Sequence, residues 1–156
     1  PDRALEYARL LKRHPERTNG NTIQKPAVLG AVLDLGNCLN LLEQQSLLVV
    51  KGAYVTLSET MKLSGRKLPK NENIKGSSDL LLRHLDCAVM ESLHTAREQE
   101  NETSYDSVRG MFPEGDTLYD NAGFRDHSHI QICVRNPNCI KGYFRVRKPT
   151  SKYRVP

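Results

Sequence analysis

HIQICVRNPNCIKGYF, residues 129–144, is the stretch on which the reading of the fold turns. Ile130, Ile132 and Val134 alternate with His129, Gln131 and Cys133, so a strand here sends its apolar side chains to one face and its polar ones to the other. The expectation is one face in the core and one open for chemistry. Asn136-Pro137-Asn138 must then turn the chain, because proline cannot donate to a ladder and asparagine tolerates turn conformations. Residues 143–146 follow as a second short strand.

Working outward, residues 27–35, AVLGAVLDL, are almost continuously apolar, which predicts a short strand buried on both faces and closed by Gly36-Asn37. Residues 1–14 place Leu5, Ala8, Leu10 and Leu11 at helical spacing behind an opening proline, and His14-Pro15 ends that helix. Residues 18–25, polar and containing Gly20, are a loop. Over 41–63, Leu47, Val50, Tyr54, Leu57 and Met61 recur every three or four positions, predicting a helix with Gly52 as a candidate break. Residues 65–76, GRKLPKNENIKG, are a basic surface connector. Ser77 or Ser78, with Asp79, caps a further helix that runs to about Arg97 on Leu81, Leu85, Ala88, Val89, Leu93 and Ala96. Residues 98–104 are too polar for a core. From 108 to 126 no period is sustained, which predicts a long ordered loop packed by Met111, Phe112, Leu118, Tyr119 and Phe124. Loops of that kind commonly carry function.

A chain of 156 residues suits a single domain, here 1–147, with a basic tail at 148–156. Its net charge of +5 attracts anions, and nucleic acid, acidic proteins and phosphate-bearing ligands all qualify. No run approaches the roughly 18–20 apolar residues of a membrane span, so no membrane partner is expected. The 4 cysteines lack zinc-ribbon spacing and are too few for a disulfide scaffold, which suits reduced thiols and a cytoplasmic protein. His127, His129 and Cys133 share a strand face with Cys139 beyond the turn, yet four tetrahedral ligands rarely come from one strand and its turn, so no metal is assigned. Walker and Rossmann phosphate loops are absent, and no serine or cysteine carries a nucleophile signature.

Three segments in order resemble the catalytic domain of ADP-ribosyltransferases of the poly(ADP-ribose) polymerase and diphtheria-toxin type. Ala4-Leu5-Glu6-Tyr7-Ala8 resembles the helix in which a small residue is followed three places on by a tyrosine. Leu29-Gly30-Ala31-Val32, then Leu35-Gly36-Asn37, resembles the family's Leu-Gly-x-Val strand with its Leu-Gly-Asn end. The third segment is the opening one, where the family's catalytic glutamate falls on Gln131.

The resemblance implies an α+β fold: a split mixed or antiparallel sheet around a cleft, with the helices at 41–63 and 77–97 as inserted elaborations. It also implies NAD as substrate, with Tyr7 stacking on nicotinamide and Ala4 where many members have a serine. Tyr7 as a plain core tyrosine is an equal reading of the residues themselves. Gln131 would orient the nicotinamide ribose without bringing negative charge, which disfavours chain elongation and leaves transfer of a single ADP-ribose. His129 occupies the place of an acceptor-orienting residue and suits a general base. Residues 111–127 correspond to the substrate-recognition loop, with Phe112, Glu114, Phe124, Arg125 and His127 as its contacts. The family's histidine and second-strand tyrosine motifs would lie upstream of Pro1. The expected function is thus a mono-ADP-ribosyltransferase, a bacterial toxin or anti-phage defence member, with RNA or DNA favoured over protein as acceptor and with room for an antitoxin partner. The alternative is a catalytically inactive relative that binds nucleic acid or a protein partner through its basic surface.

Overall fold

Helices form where apolar residues recur at helical spacing, and the first does so as expected. In the computed structural model, which describes residues 2–73 and 82–146, α1 spans Asp2–Arg13, β1 Leu29–Leu33, β2 Cys38–Asn40 and α2 Gln44–Leu63. There follow β3 (Asn71–Glu72), β4 (Leu82–Arg83), α3 (His84–Gln99), β5 (Ser107–Phe112), β6 (His129–Val134) and β7 (Ile140–Arg145). The class is α+β. The chain divides into two compact units, Pro1–Asp34 with Ile140–Pro156, and Leu35–Cys139. Ser77, Ser78, Asp79 and Leu81, and the tail at 148–156, lie outside the described residues.

In the first unit α1 half-buries Leu5, Ala8 and Leu11 and exposes Ala4, Glu6 and Tyr7. Pro15 stops it, and a 3-10 turn at Pro15–Thr18 hands over to left-handed Asn19. β1 pairs antiparallel with β7, Ala31 opposite Tyr143 and Gly30 opposite Phe144. The Phe144 ring lies where a side chain at position 30 would stand, so glycine is what lets the ring cross the ladder. Burial of β1 on both faces is not found, because Leu29 and Val32 are each more than half exposed. An apolar run shows what a strand tolerates on both faces, not that two further layers exist, and this ladder stops at two strands. The final strand begins at Ile140, three residues earlier than expected.

Among the described residues the buried apolar ones, Leu39, Leu57, Val89, Leu93 and Cys139, all belong to the second unit. There β5 is central, with β2 parallel on one side and β6 antiparallel on the other. The crossover from β2 to β5 contains α2 and α3, which pack on each other. α2 begins at Gln44 and passes through Gly52 unbroken, and its inward stripe is Val49, Val50, Ala53, Leu57 and Met61. Leu47 and Tyr54 face outward instead.

Two corrections concern where elements start. α3 begins at His84, because Leu82 and Arg83 pair with Glu72 and Asn71 as a short ladder. Its free amide donors are met from outside the helix: Asn71 Oδ1 accepts from Leu85 and Asp86 N–H at 2.9 and 3.2 Å, and Asn71 Nδ2 donates to Asp86 at 2.8 Å. The expected loop at 108–126 opens as β5 and is a loop only from 113 to 128. The amphipathic reading of β6 is also corrected. Ile130 and Ile132 share a face but remain 50% and 40% exposed, since β6 is an edge strand.

A polar hub ties the loops of this unit together. Asp106 accepts the Asn37 N–H at one carboxylate oxygen (2.8 Å) and Asn136 Nδ2 at the other (2.7 Å), and its carbonyl accepts from Arg135 and Asn136 N–H. Ser107, fully buried, donates its hydroxyl to Leu35 O at 2.7 Å. The Asn-Pro-Asn turn is present as a 3-10 turn at Pro137–Cys139, with Asn136 Oδ1 accepting from Asn138 N–H. Beside the hub, Arg97 stacks over the Tyr105 ring at 4.3 Å and donates to Thr103 O at 2.6 Å, while His94 meets Tyr105 edge-on.

These two titratable groups give the fold a directional pH dependence. Burial chiefly, then Arg135, with Arg97 adding and Glu98 opposing, holds His94 below its ordinary 6.5. The unfolded chain therefore binds that proton first, and stability falls as pH drops through about 6.5. Hydrogen bonds from Asn136 and then from the Asn37 amide hold Asp106 below its ordinary 3.8. Its contribution is present above that value and is lost only as pH falls through the lowered one. Melting temperature measured from pH 7.5 to 5.5 should decline in the wild type and decline less in His94→Phe. Equal slopes would assign the effect to another group.

Candidate functional site

Register decides what the polar face of β6 meets. Gln131 pairs with Gly110, His129 with Phe112 and Cys133 with Val108. Gly110 puts no side chain opposite Gln131, and a methyl group there would just touch Leu41 and Phe112. A depression of about 130 Å³ forms there, lined by Leu41, Val108, Gly110, Phe112, Gln131, Ile132 and Cys133. That is smaller than the roughly 300–1,000 Å³ of sites that bury a drug-sized ligand, so it suits one small ring or sugar rather than a dinucleotide.

At its rim the alternation of β6 sets Gln131 beside His129, with Gln131 Nε2 2.7 Å from His129 Nε2. The other imidazole nitrogen, Nδ1, lies 2.7 Å from His127 O and 3.8 Å from Glu114 Oε2. Phe112 stacks on the His129 ring at 6.3 Å between centroids, and the Arg83 guanidinium lies 5.5 Å over Phe112. The result is a row from a cation through an aromatic to an imidazole and an amide, with a carboxylate at the imidazole's far edge.

The loop from 113 to 128 is held by its own backbone. Leu118 N–H donates to Phe124 O, Asp126 N–H to Asp116 O and His127 N–H to Glu114 O, and Thr117 bridges Arg125. The His127 ring turns to Asp126, 3.2 Å away, and Arg125 donates to Gly115 O at 3.3 Å.

Of the residues expected from sequence, Phe112, Glu114, His127, His129 and Gln131 come together. Arg125 braces the loop's backbone, and Phe124 stands exposed towards the loop's tip. Tyr7 and Ala4 belong to the first unit, exposed on α1. Among the described residues no three His, Cys, Asp or Glu side chains converge as a metal-holding group, and no helix is long and apolar enough to cross a membrane. Arg83, Gly110 and Asp106 were not singled out by sequence. Gly110 had a legible signal, a glycine flanked by Val108, Arg109, Met111 and Phe112, where a strand glycine marks a close approach or a gap. No family model, curated protein or solved structure matches the chain.

Proposed function

We propose that the chain is a mono-ADP-ribosyltransferase that breaks NAD at the nicotinamide–ribose bond and passes ADP-ribose to a macromolecular acceptor. The observation that carries this reading is the contact of Gln131 and His129 at the rim of a sugar-sized depression. An amide beside an imidazole offers what such a transfer needs: a donor and acceptor pair to orient ribose hydroxyls, and a base for the acceptor's proton. The resemblance set out above adds Tyr7 as the aromatic face for nicotinamide, with Ala4 nearby on the same helix, and an ADP-ribosyltransferase-like split sheet as the finer fold. On net charge the acceptor is nucleic acid before protein. A toxin or anti-phage effector acting in the cytoplasm, restrained by an antitoxin, fits such an activity.

The uncharged amide at 131 and the small depression favour a second reading, a relative that binds nucleic acid or a partner without turnover. Incubation with labelled NAD and RNA, DNA or protein separates the two. The transferase reading expects nicotinamide release and a labelled acceptor, with Gln131→Ala about 100-fold slower. Salt-steep binding of RNA or DNA with no nicotinamide released would overturn it.

A further inference from the structure

Gln131 brings no negative charge to the site, yet a carboxylate stands at the other edge of its neighbour. Glu114 Oε2 lies 3.8 Å from His129 Nδ1, with the two side chains 31% and 22% exposed. Shielding of that order leaves the pair less screened than one in open water.

The hydrogen bonds of His129 assign its proton. His129 Nε2 lies 2.7 Å from the Gln131 amide. A carbonyl oxygen only accepts, so Nδ1 carries a hydrogen and donates it to His127 O at 2.7 Å. Nε2 thus lies on the Gln131 side of the ring and the Nδ1 proton on the Glu114 side.

The approach of Glu114 is built into the backbone. Next to it Gly115 adopts φ of +89°, and a side chain there would overlap the Asp126 carboxylate and stand 2.6 Å from His127 Nδ1. With the Arg125 and His127 hydrogen bonds on either side, the loop delivers Glu114 to the His129 ring in one fixed manner.

We propose that Glu114 is a positioning residue for the transfer: His127 O holds the Nδ1 proton, and the Glu114 carboxylate beside it stabilises the imidazolium formed when Nε2 takes the acceptor's proton. This rests on the transferase reading. As ribose hydroxyls draw the Gln131 amide away, Nε2 is uncovered for the acceptor. An acceptor O–H or N–H then gives its proton to Nε2 while its electron pair forms a bond to the ribose C1′. The C1′–N bond breaks, and its electron pair goes to the nicotinamide nitrogen, which leaves neutral. The positive charge of the pyridinium thus ends on the imidazolium, beside the Glu114 carboxylate, until solvent takes the proton.

The test pairs kinetics with a measurement that needs no turnover. In the whole chain, E114Q is expected to lower kcat about 10- to 100-fold with the KM for NAD unchanged, whereas E114D, which keeps the charge, should lose less. Nitrogen-15 NMR of labelled histidine should show His129 protonated on Nδ1 in both the wild type and E114Q, because His127 O holds that proton, so that the loss in kcat reads the charge alone. Equal kcat losses in E114Q and E114D, or a His129 tautomer that changes in E114Q, would overturn the proposal. A wild-type chain that releases no nicotinamide overturns the transferase reading itself. Nicotinamide release by the wild type separates that failure from this one, since the proposal alone fails where the wild type turns over and E114Q and E114D lose equally.

Discussion

Leu39→Ala is expected to cost about 2–5 kcal/mol of folding stability, because the side chain is 1% exposed and its removal leaves a cavity as well as lost apolar burial. Among the described residues few apolar side chains are buried, and those that are share one unit with Leu39. Against a total stability of roughly 5–15 kcal/mol, one such loss leaves little reserve. Urea unfolding followed by circular dichroism should show an early, shallow transition. Leu63→Ala, at a position 89% exposed at the end of α2, serves as the control and should stay within about 0.5 kcal/mol of wild type. A Leu39 variant as stable as the Leu63 one would mean that the sheet does not depend on β2 packing.

Gly36→Ala is expected to destabilise through two routes at once. At φ of +58° an alanine carries a backbone cost of about 1–2 kcal/mol, and its methyl group would overlap the Asp106 carboxylate that holds Asn37 and Asn136. Displacing that carboxylate strips the Asn37 and Asn136 loops of their common acceptor. The same exchange at Gly52 has the opposite sign. That residue lies inside α2 with open space around it, so alanine there should add about 0.5–1 kcal/mol. Thermal melts of the two variants should therefore move apart from wild type in opposite directions. Two shifts of the same sign would refute the assignment of Gly36 to a left-handed turn under Asp106.

What the sequence made legible was what depends on near neighbours. The first helix, the Asn136-Pro137-Asn138 turn and the two alternating faces of β6 follow from spacing over a few residues. Alternation also set His129 and Gln131 on one face, which is half of the candidate site. It could not report whether anything covers Ile130 and Ile132, because periodicity says which side chains share a side and nothing about the layer opposite. The start of α3 was misplaced for a related reason. Serines at 77 and 78 look like local caps, whereas the groups that satisfy the helix come from Asn71, more than a dozen residues upstream. β5 was hidden because Gly110 reads as a breaker until its partner across the ladder is known to be Gln131. Glu114 was visible only as a loop carboxylate, since its approach to His129 depends on the turn that Gly115 permits.

The hydrogen bonds of Asp106 have a topological consequence. Asn37 lies at the entry of the Leu35–Cys139 unit and Asn136 at its exit, and one carboxylate holds both. Joining points so far apart along a chain carries a closure entropy of about 4 kcal/mol for a loop of about 100 residues, and the clasp is placed where that closure must be maintained. A unit whose ends meet in this way begins and finishes at one place, as chains folded into compact units commonly do.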